Sequence, residues 1–538
     1  VSKQQWQKFF PLQTPRKEQT AAIDQILEAF SQGKRFFALE AGTGVGKSAI
    51  AVTIARALSA DNQVHDGYEN GAIFTTTQKL LQDQYERDFA NLGMRSIKSA
   101  SNYQCQYKRF NKCSDSLTEL KLEEKGTKFW NTCTFNCVYR SAKQSFMDAP
   151  MSVTNFPYLL TESNYNGKIK PRKLLVIDEA HNVETELSKF IEIAVTERFA
   201  KSVLKLDMPE IGTHHQALDW IQTVYFPKLT SHLAHVNHMM EKYTQLKTKL
   251  DKFISLSRQL RMMEGHHQRL KDFLRLHTKE NWVFESLQSD VRDLRKLSFK
   301  PIDISQFANQ YLFRMGYHVL FMSATLIQTD RFLEMVGVNK SNAAAISIPS
   351  PFPIENRPTL FVPIGKMTAR EIDHSLPILA NAVRKILEAH KKEKGIIHTH
   401  SYKIANYLKK NIKSRRLLLA SPDNRDQIIR KHMTGTSPTV LISPSMTEGI
   451  DLEGDASRFQ VICKVPYPYL GDKLVKKRMH KWKWWYPFQT SKTVIQAMGR
   501  SVRSDTDSAV TYILDSDWER FYANNKQLFP SDFHECFR

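Results

Sequence analysis

Eight residues, Ala41-Gly42-Thr43-Gly44-Val45-Gly46-Lys47-Ser48, combine the types needed to hold a polyphosphate. Glycines let the backbone curl so that successive N–H groups point inward, a lysine meets the β- and γ-phosphates, and a serine hydroxyl can ligate Mg²⁺. Further along, Asp178-Glu179-Ala180-His181 sets two carboxylates side by side. Such a pair divides labour: Asp178 holds the shell of a Mg²⁺ ion, and Glu179 orients and deprotonates an attacking water. In Gln496-Ala497-Met498-Gly499-Arg500-Ser501-Val502-Arg503 two guanidiniums stand three residues apart. On a helix-like segment they share a face and could neutralise charge developing on a γ-phosphate across a domain cleft. Arg16 and Gln19 have the same spacing, and a glutamine amide can bond both the donor and the acceptor edge of adenine.

These groups need elements to position them. Phe36 to Leu39 reads as a short buried strand and Ala49 to Leu58 as a helix, the strand, loop, helix context that a phosphate loop requires. The helix N-terminus adds favourable partial positive charge. Gly71 to Gln78 is a strand ahead of a helix, Lys79 to Phe89. Ser152 to Leu160, Lys173 to Ile177 and His318 to Met322 continue the sheet, the last running into Ser323-Ala324-Thr325. Ligands gather at the carboxyl ends of parallel strands, which is where Asp178 falls and where Thr75, Thr76 and Gln78 could meet a nucleic-acid backbone. Beyond Pro349, Pro351 and Pro353 the alternation starts again: a helix from Pro377 to Lys392, a strand from Gly395 to Tyr402, a helix from Ile404 to Ile412, then Val440 to Ser443 leading to Gly449 and Asp451, and Phe459 to Ile462. The expected fold class is α/β with two parallel sheets.

A chain of 538 residues exceeds a single core. Its formal charge of +22 favours a polyanionic partner. No apolar run is long enough to cross a bilayer and the first ten residues lack the apolar core of a signal peptide, so a soluble cytoplasmic protein without a membrane partner is expected. Six cysteines are not distributed as a disulfide framework. Four of them, Cys105, Cys113, Cys133 and Cys137, fall in one window and suit thiolate ligation of zinc or of an iron–sulfur cluster. Seven residues separate Cys105 from Cys113, wider than the usual zinc pairing. Val195 to Ser298 is a long segment of helical character in which His232, His235 and His238 recur at intervals of three; a helical lever or clamp is the better reading than a metal site. Trp482, Trp484, Trp485, Tyr486 and Phe488 stand among Lys473, Lys476, Lys477, Arg478, Lys481 and Lys483, an interleaving that suits stacked bases and paired phosphates.

Together the motifs resemble, in kind and order, those of the iron–sulfur superfamily 2 DNA helicases, the DinG and XPD group. The resemblance rests on Arg16/Gln19, the loop ending Gly46-Lys47-Ser48, Asp178-Glu179-Ala180-His181, Ser323-Ala324-Thr325, Gly449 with Asp451, and Gln496/Gly499-Arg500/Arg503, with the cysteines between the first two nucleotide motifs. It implies two RecA-like domains clamping ATP and Mg²⁺, a 4Fe-4S cluster on the four cysteines, and a helical arch. Accordingly 1–100, 151–194 and 299–336 are expected to build the first RecA-like domain, 101–150 the cluster domain, 195–298 the arch and 337–538 the second RecA-like domain. Since Gln19 follows Val1 so closely, no nuclease domain is expected ahead of it. The resemblance also implies a monomer that moves 5′→3′ on single-stranded DNA and opens duplexes with a single-stranded 5′ tail, in a bacterial or viral setting. An RNA helicase, or a nucleic-acid-stimulated ATPase that remodels a partner without separating strands, are the alternatives.

Overall fold

The computed structural model describes residues 5–61, 63–107, 112–120, 123–165, 167, 169–246, 250–288, 295–421, 424–444, 452, 454–502, 504 and 506–538. In chain order its strands are Phe36–Ala41 (β1), Glu69–Thr76 (β2), Met94–Ser96 (β3), Met151–Asn155 (β4), Arg172–Asp178 (β5), Ile193–Thr196 (β6), Trp282–Gln288 (β7), Arg295–Pro301 (β8), Gly316–Ser323 (β9), Ala343–Ile348 (β10), Thr359–Gly365 (β11), Gly395–His398 (β12), Leu417–Leu419 (β13), Val440–Ser443 (β14), Phe459–Ile462 (β15) and Val510–Asp515 (β16). Two parallel sheets dominate. The first has the order β10-β1-β9-β5-β2-β4-β3 and the second β11-β16-β15-β12-β14-β13.

The central strands of the first sheet are apolar on both faces because helices cover both. In β1, Phe36 and Ala38 point into one core and Phe37 and Leu39 into the other, the period-two alternation of a pleated strand. β1, β9 and β5 lie side by side in register. Their carboxyl ends therefore bring Ala41, Ser323 and Asp178 to one edge, next to the loop that opens the helix Lys47–Ser59.

Several elements depart from the sequence reading. Strand β4 stops at Asn155, whose side chain caps a helix, Phe156–Asn164, so Phe156 to Leu160 is helical rather than extended. Strand β12 ends at His398, and Ser401 caps the helix Tyr402–Asn411. β10 pairs with β1, so the first sheet runs to Ile348, past the boundary expected at residue 337; the polar stretch before it is a connection inside the lobe. Between 195 and 298 the structure holds two long helices, Phe226–Leu246 and Leu250–Leu276. It also holds an antiparallel sheet of order β6-β8-β7, which the helical composition of the segment concealed. Among the described residues no helix is long and apolar enough to cross a membrane.

Candidate active site

The phosphate loop owes its shape to glycines that nothing else could replace. Gly46 is left-handed, φ 87°, and a Cβ there would lie 2.4 Å from the Gln19 amide nitrogen. Gly44, φ 90°, has the ring of Phe352 packed against it, 2.2 Å from where a Cβ would be. The loop carbonyls are held from outside. Arg16 Nη1 donates to Gly44 O at 2.6 Å, Gln19 Nε2 to Val45 O at 2.8 Å and Ser350 Oγ to Thr43 O at 2.9 Å. Gln19 Oε1 accepts from the Arg16 backbone N–H, so both ends of its amide meet backbone and the residue sits against the loop, buried. Lys47 Nζ donates to Ala41 O at 3.1 Å, curled back over the loop.

Asp178 closes β5 beside Lys47 and Ser48. Its Oδ1 accepts from the Glu179 N–H and its Oδ2 from the Tyr85 hydroxyl, both at 2.9 Å. Burial, and then the neighbouring Glu179 charge, push the Asp178 carboxyl up to about 6, while Lys47 pulls the other way. Glu179 adopts a left-handed backbone, φ 51°. A non-glycine residue held there is strained, and strain of this kind is stored at functional sites. It turns the carboxylate out of the strand, half-buried, with one oxygen 3.3 Å from His181 Nδ1.

His181 lies at the start of a relay between lobes. Its Nδ1 is 2.7 Å from Ser323 Oγ and 3.4 Å from Thr325 Oγ1. Gln496 Nε2 of the second lobe then donates to Thr325 Oγ1 at 3.4 Å. A cleft of about 320 Å³ separates the lobes there, within the range of small-ligand sites. Gly42, Thr43 and Glu179 of the first lobe face Gln496, Gly499 and Arg500 of the second across it. The helix carrying Gln496 ends at Met498, so Arg500 projects from the turn beyond it rather than from a helical face. Gly449, Asp451 and Arg503 lie outside the described residues.

Some contributors carried no sequence signal. Glu40, one residue before the loop, lines the same cleft and accepts from the Ile327 N–H and from Ser347 Oγ; burial raises its carboxyl to about 7. Tyr85, Ser350 and Phe352 look like ordinary helix and linker residues until the chain is folded.

The basic aromatic segment is an interface rather than an open stacking surface. Trp482, Trp485 and Phe488 are buried, and Trp484 and Tyr486 pack against the core. Arg478, also buried, pairs with Glu184 at 2.8 Å and donates to Ile302 O, and Lys481 pairs with Asp303. The second lobe thereby docks onto the helix Val183–Ile191 that follows Asp178-Glu179-Ala180-His181. Removing one partner of a buried pair strands the other charge, which costs about 3–5 kcal/mol. Arg478→Ala is therefore expected to lower the urea midpoint sharply, while Arg478→Met with Glu184→Leu recovers most of the loss. Equal midpoints for wild type and Arg478→Ala would mean that the pair is solvated and weak. Thr75 and Thr76, expected to face nucleic acid, have no exposed surface.

In the cysteine insertion, Cys105, Cys113, Cys133 and Cys137 are buried and line one pocket. Burial, then the neighbouring thiols, push Cys113 up to about 11 and Cys133 up to about 12. Four thiols gathered in one pocket are a donor set whose charge, once ionised, a metal centre would balance. Among the described residues no three His, Cys, Asp or Glu side chains form a group able to hold a single metal ion, the histidines of the long helix included.

Residues 383–536 match the family described as Helicase C-terminal domain, and residues 12–208 match Type III restriction enzyme, res subunit. The chain is 22% identical over 608 aligned positions to the ATP-dependent DNA helicase YoaA of Haemophilus influenzae, covering 93% of this chain and 91% of that protein. It is 21% identical to the Escherichia coli protein of the same name, covering 95% and 92%. Among solved structures, one titled XPD_Helicase superimposes with a TM-score of 0.64 at 16% identity, over 96% of this chain and 99% of the other. The two parallel sheets, the order of the motifs along them and these relatives agree: over nearly its whole length the chain is similar to helicases of the DinG/XPD-type group of superfamily 2.

Proposed function

We propose that the protein hydrolyses ATP to move 5′→3′ along single-stranded DNA and separates duplexes that carry a single-stranded 5′ tail. The observation that carries this reading is the shared cleft, in which Gly42, Thr43 and Glu179 of one lobe face Gln496 and Arg500 of the other. Lys47 would meet the β- and γ-phosphates, and Ser48 and Asp178 would hold Mg²⁺, which supplies charge neutralisation when bound. Glu179 orients and deprotonates the attacking water, and Arg500, with Arg503, closes on the phosphate charge from the second lobe. Arg16 and Gln19, whose side chains are spent on backbone groups rather than free for adenine, brace the phosphate loop through its carbonyls, and Gly449 and Asp451 contribute from the second lobe. The relay from His181 through Thr325 to Gln496 would report the state of the phosphates across the cleft. Closure and release then shift the grip of the lobes along the strand. The positive charge of the chain supports a polyanionic track, and the curated relatives are named as DNA helicases.

The cysteine insertion and the long helices would act as a cluster domain and an arch beside that track, in a monomer working in the bacterial cytoplasm. Cys105, Cys113, Cys133 and Cys137 would hold a 4Fe-4S cluster. Wild-type protein purified without oxygen is expected to absorb near ~400 nm, and Cys133→Ser to lose that band. A colourless wild type containing zinc would contradict the cluster.

The test of the function compares duplexes with a 5′ or a 3′ overhang, together with stimulation of ATP hydrolysis by single-stranded DNA and by RNA, at more than one salt concentration. Unwinding of the 5′-tailed duplex alone is expected. Stimulation by RNA alone would make the protein an RNA helicase. ATP turnover without strand separation on either duplex would make it a remodelling ATPase.

A further inference from the structure

Tyr85 lies in the helix Lys79–Phe89, outside every motif that carries the family resemblance. Its ring is buried between Phe74 and Phe89, with centroids 5.4 and 6.1 Å away. That packing fixes the hydroxyl, which donates to Asp178 Oδ2 at 2.9 Å in a fully buried contact. The phenolic oxygen thus touches one of the two residues that the proposed function gives to the divalent cation.

The direction of the bond follows from counting protons. A phenol has one, and a carboxylate can only accept. The Tyr85 proton is therefore committed to Asp178. Asp178 is held at both oxygens, by Tyr85 and by the Glu179 N–H, so its carboxylate is fixed in rotation before any cation arrives.

We propose that Tyr85 is a positioning residue for the divalent cation of the nucleotide site: through Asp178 it fixes one carboxylate oxygen and leaves the group pre-ordered for the cation. It touches neither nucleotide nor reacting atoms. Outer partners of metal ligands commonly set metal affinity by about 10–100-fold, and a buried hydroxyl seated on Asp178 is placed to do the same. Phenylalanine would fill the same space and remove only the hydrogen bond to Asp178.

The proposal rests on the nucleotide-site reading, and the experiment separates the two. Binding of fluorescent mant-ADP to the full-length chain is followed while Mg²⁺ is titrated in an EDTA-buffered series, for wild type and for Tyr85→Phe. Wild type is expected to bind more tightly as Mg²⁺ rises. Tyr85→Phe is expected to need about tenfold more Mg²⁺ for the same gain, with its affinity in EDTA unchanged. An unchanged or lowered Mg²⁺ midpoint would overturn the positioning role. So would an equal loss of affinity with and without Mg²⁺, the mark of a purely structural ring. A wild type whose mant-ADP binding ignores Mg²⁺ would overturn the nucleotide-site reading itself.

Discussion

Arg500→Ala is expected to lower DNA-stimulated ATP hydrolysis by about a thousandfold or more, with little change in the affinity for ADP. An arginine brought to the γ-phosphate from outside the cradle acts on charge that grows in the transition state, and contacts of this kind are worth about 10³–10⁵ in rate. Arg500 lines the cleft opposite Glu179, on the turn just past the helix Trp485–Met498. Lysine should rescue little, because a point charge on a flexible stem does not reproduce a planar, forked donor. Steady-state hydrolysis with saturating single-stranded DNA measures the effect. A loss of only a few-fold would place Arg500 outside the reacting phosphate's reach.

The second large effect belongs to Glu179. Replacing it with glutamine keeps size and hydrogen bonding but removes the base, and positioned bases contribute about 10²–10⁴-fold. Glu179→Gln should therefore bind ATP, stay closed on it and turn over slowly enough to appear inactive. The strained backbone at this residue, φ 51°, makes the prediction sharper. A side chain directed by strain is correctly aimed or useless, so Glu179→Asp, shorter by one methylene, should recover only part of the rate. Single-turnover hydrolysis separates this from a binding defect: nucleotide-binding isotherms like wild type with a lost hydrolysis phase are expected, and a normal hydrolysis phase would remove Glu179 from the chemistry.

What could be read before folding was what chemistry writes locally. The phosphate loop shows itself because curling a backbone around phosphate needs glycine at fixed offsets, and in the structure Gly44 and Gly46 take the positive φ that such a curl uses. The paired acids at the end of β5 are visible for a similar reason: an apolar run that ends in two adjacent carboxylates sets both at the strand edge where ligands gather. The readings that failed were those in which composition stood in for packing. Trp482 and Trp485 look like a stacking surface beside lysines, yet burying a large ring is more favourable than exposing it, and both are inside. Val195 to Ser298 is helical in composition, so the alternation of Leu297 and Phe299 in β8, both buried, was averaged away. Glu40, Tyr85 and Phe352 could not be read at all. Their roles depend on what arrives from 287, 93 or more than 300 residues away, and a single sequence does not display separations of that kind.

The claim on which the rest depends is that both lobes act on one phosphate. The direct measurement is trapping of Mg²⁺–ADP with aluminium fluoride, which mimics the transferred phosphoryl group, in wild type and in Arg500→Ala in the presence of single-stranded DNA. Wild type should hold the trapped nucleotide through gel filtration; Arg500→Ala should bind ADP equally well and release it. If the variant traps as firmly as wild type, the second lobe does not reach the phosphate and the two-lobed motor is wrong.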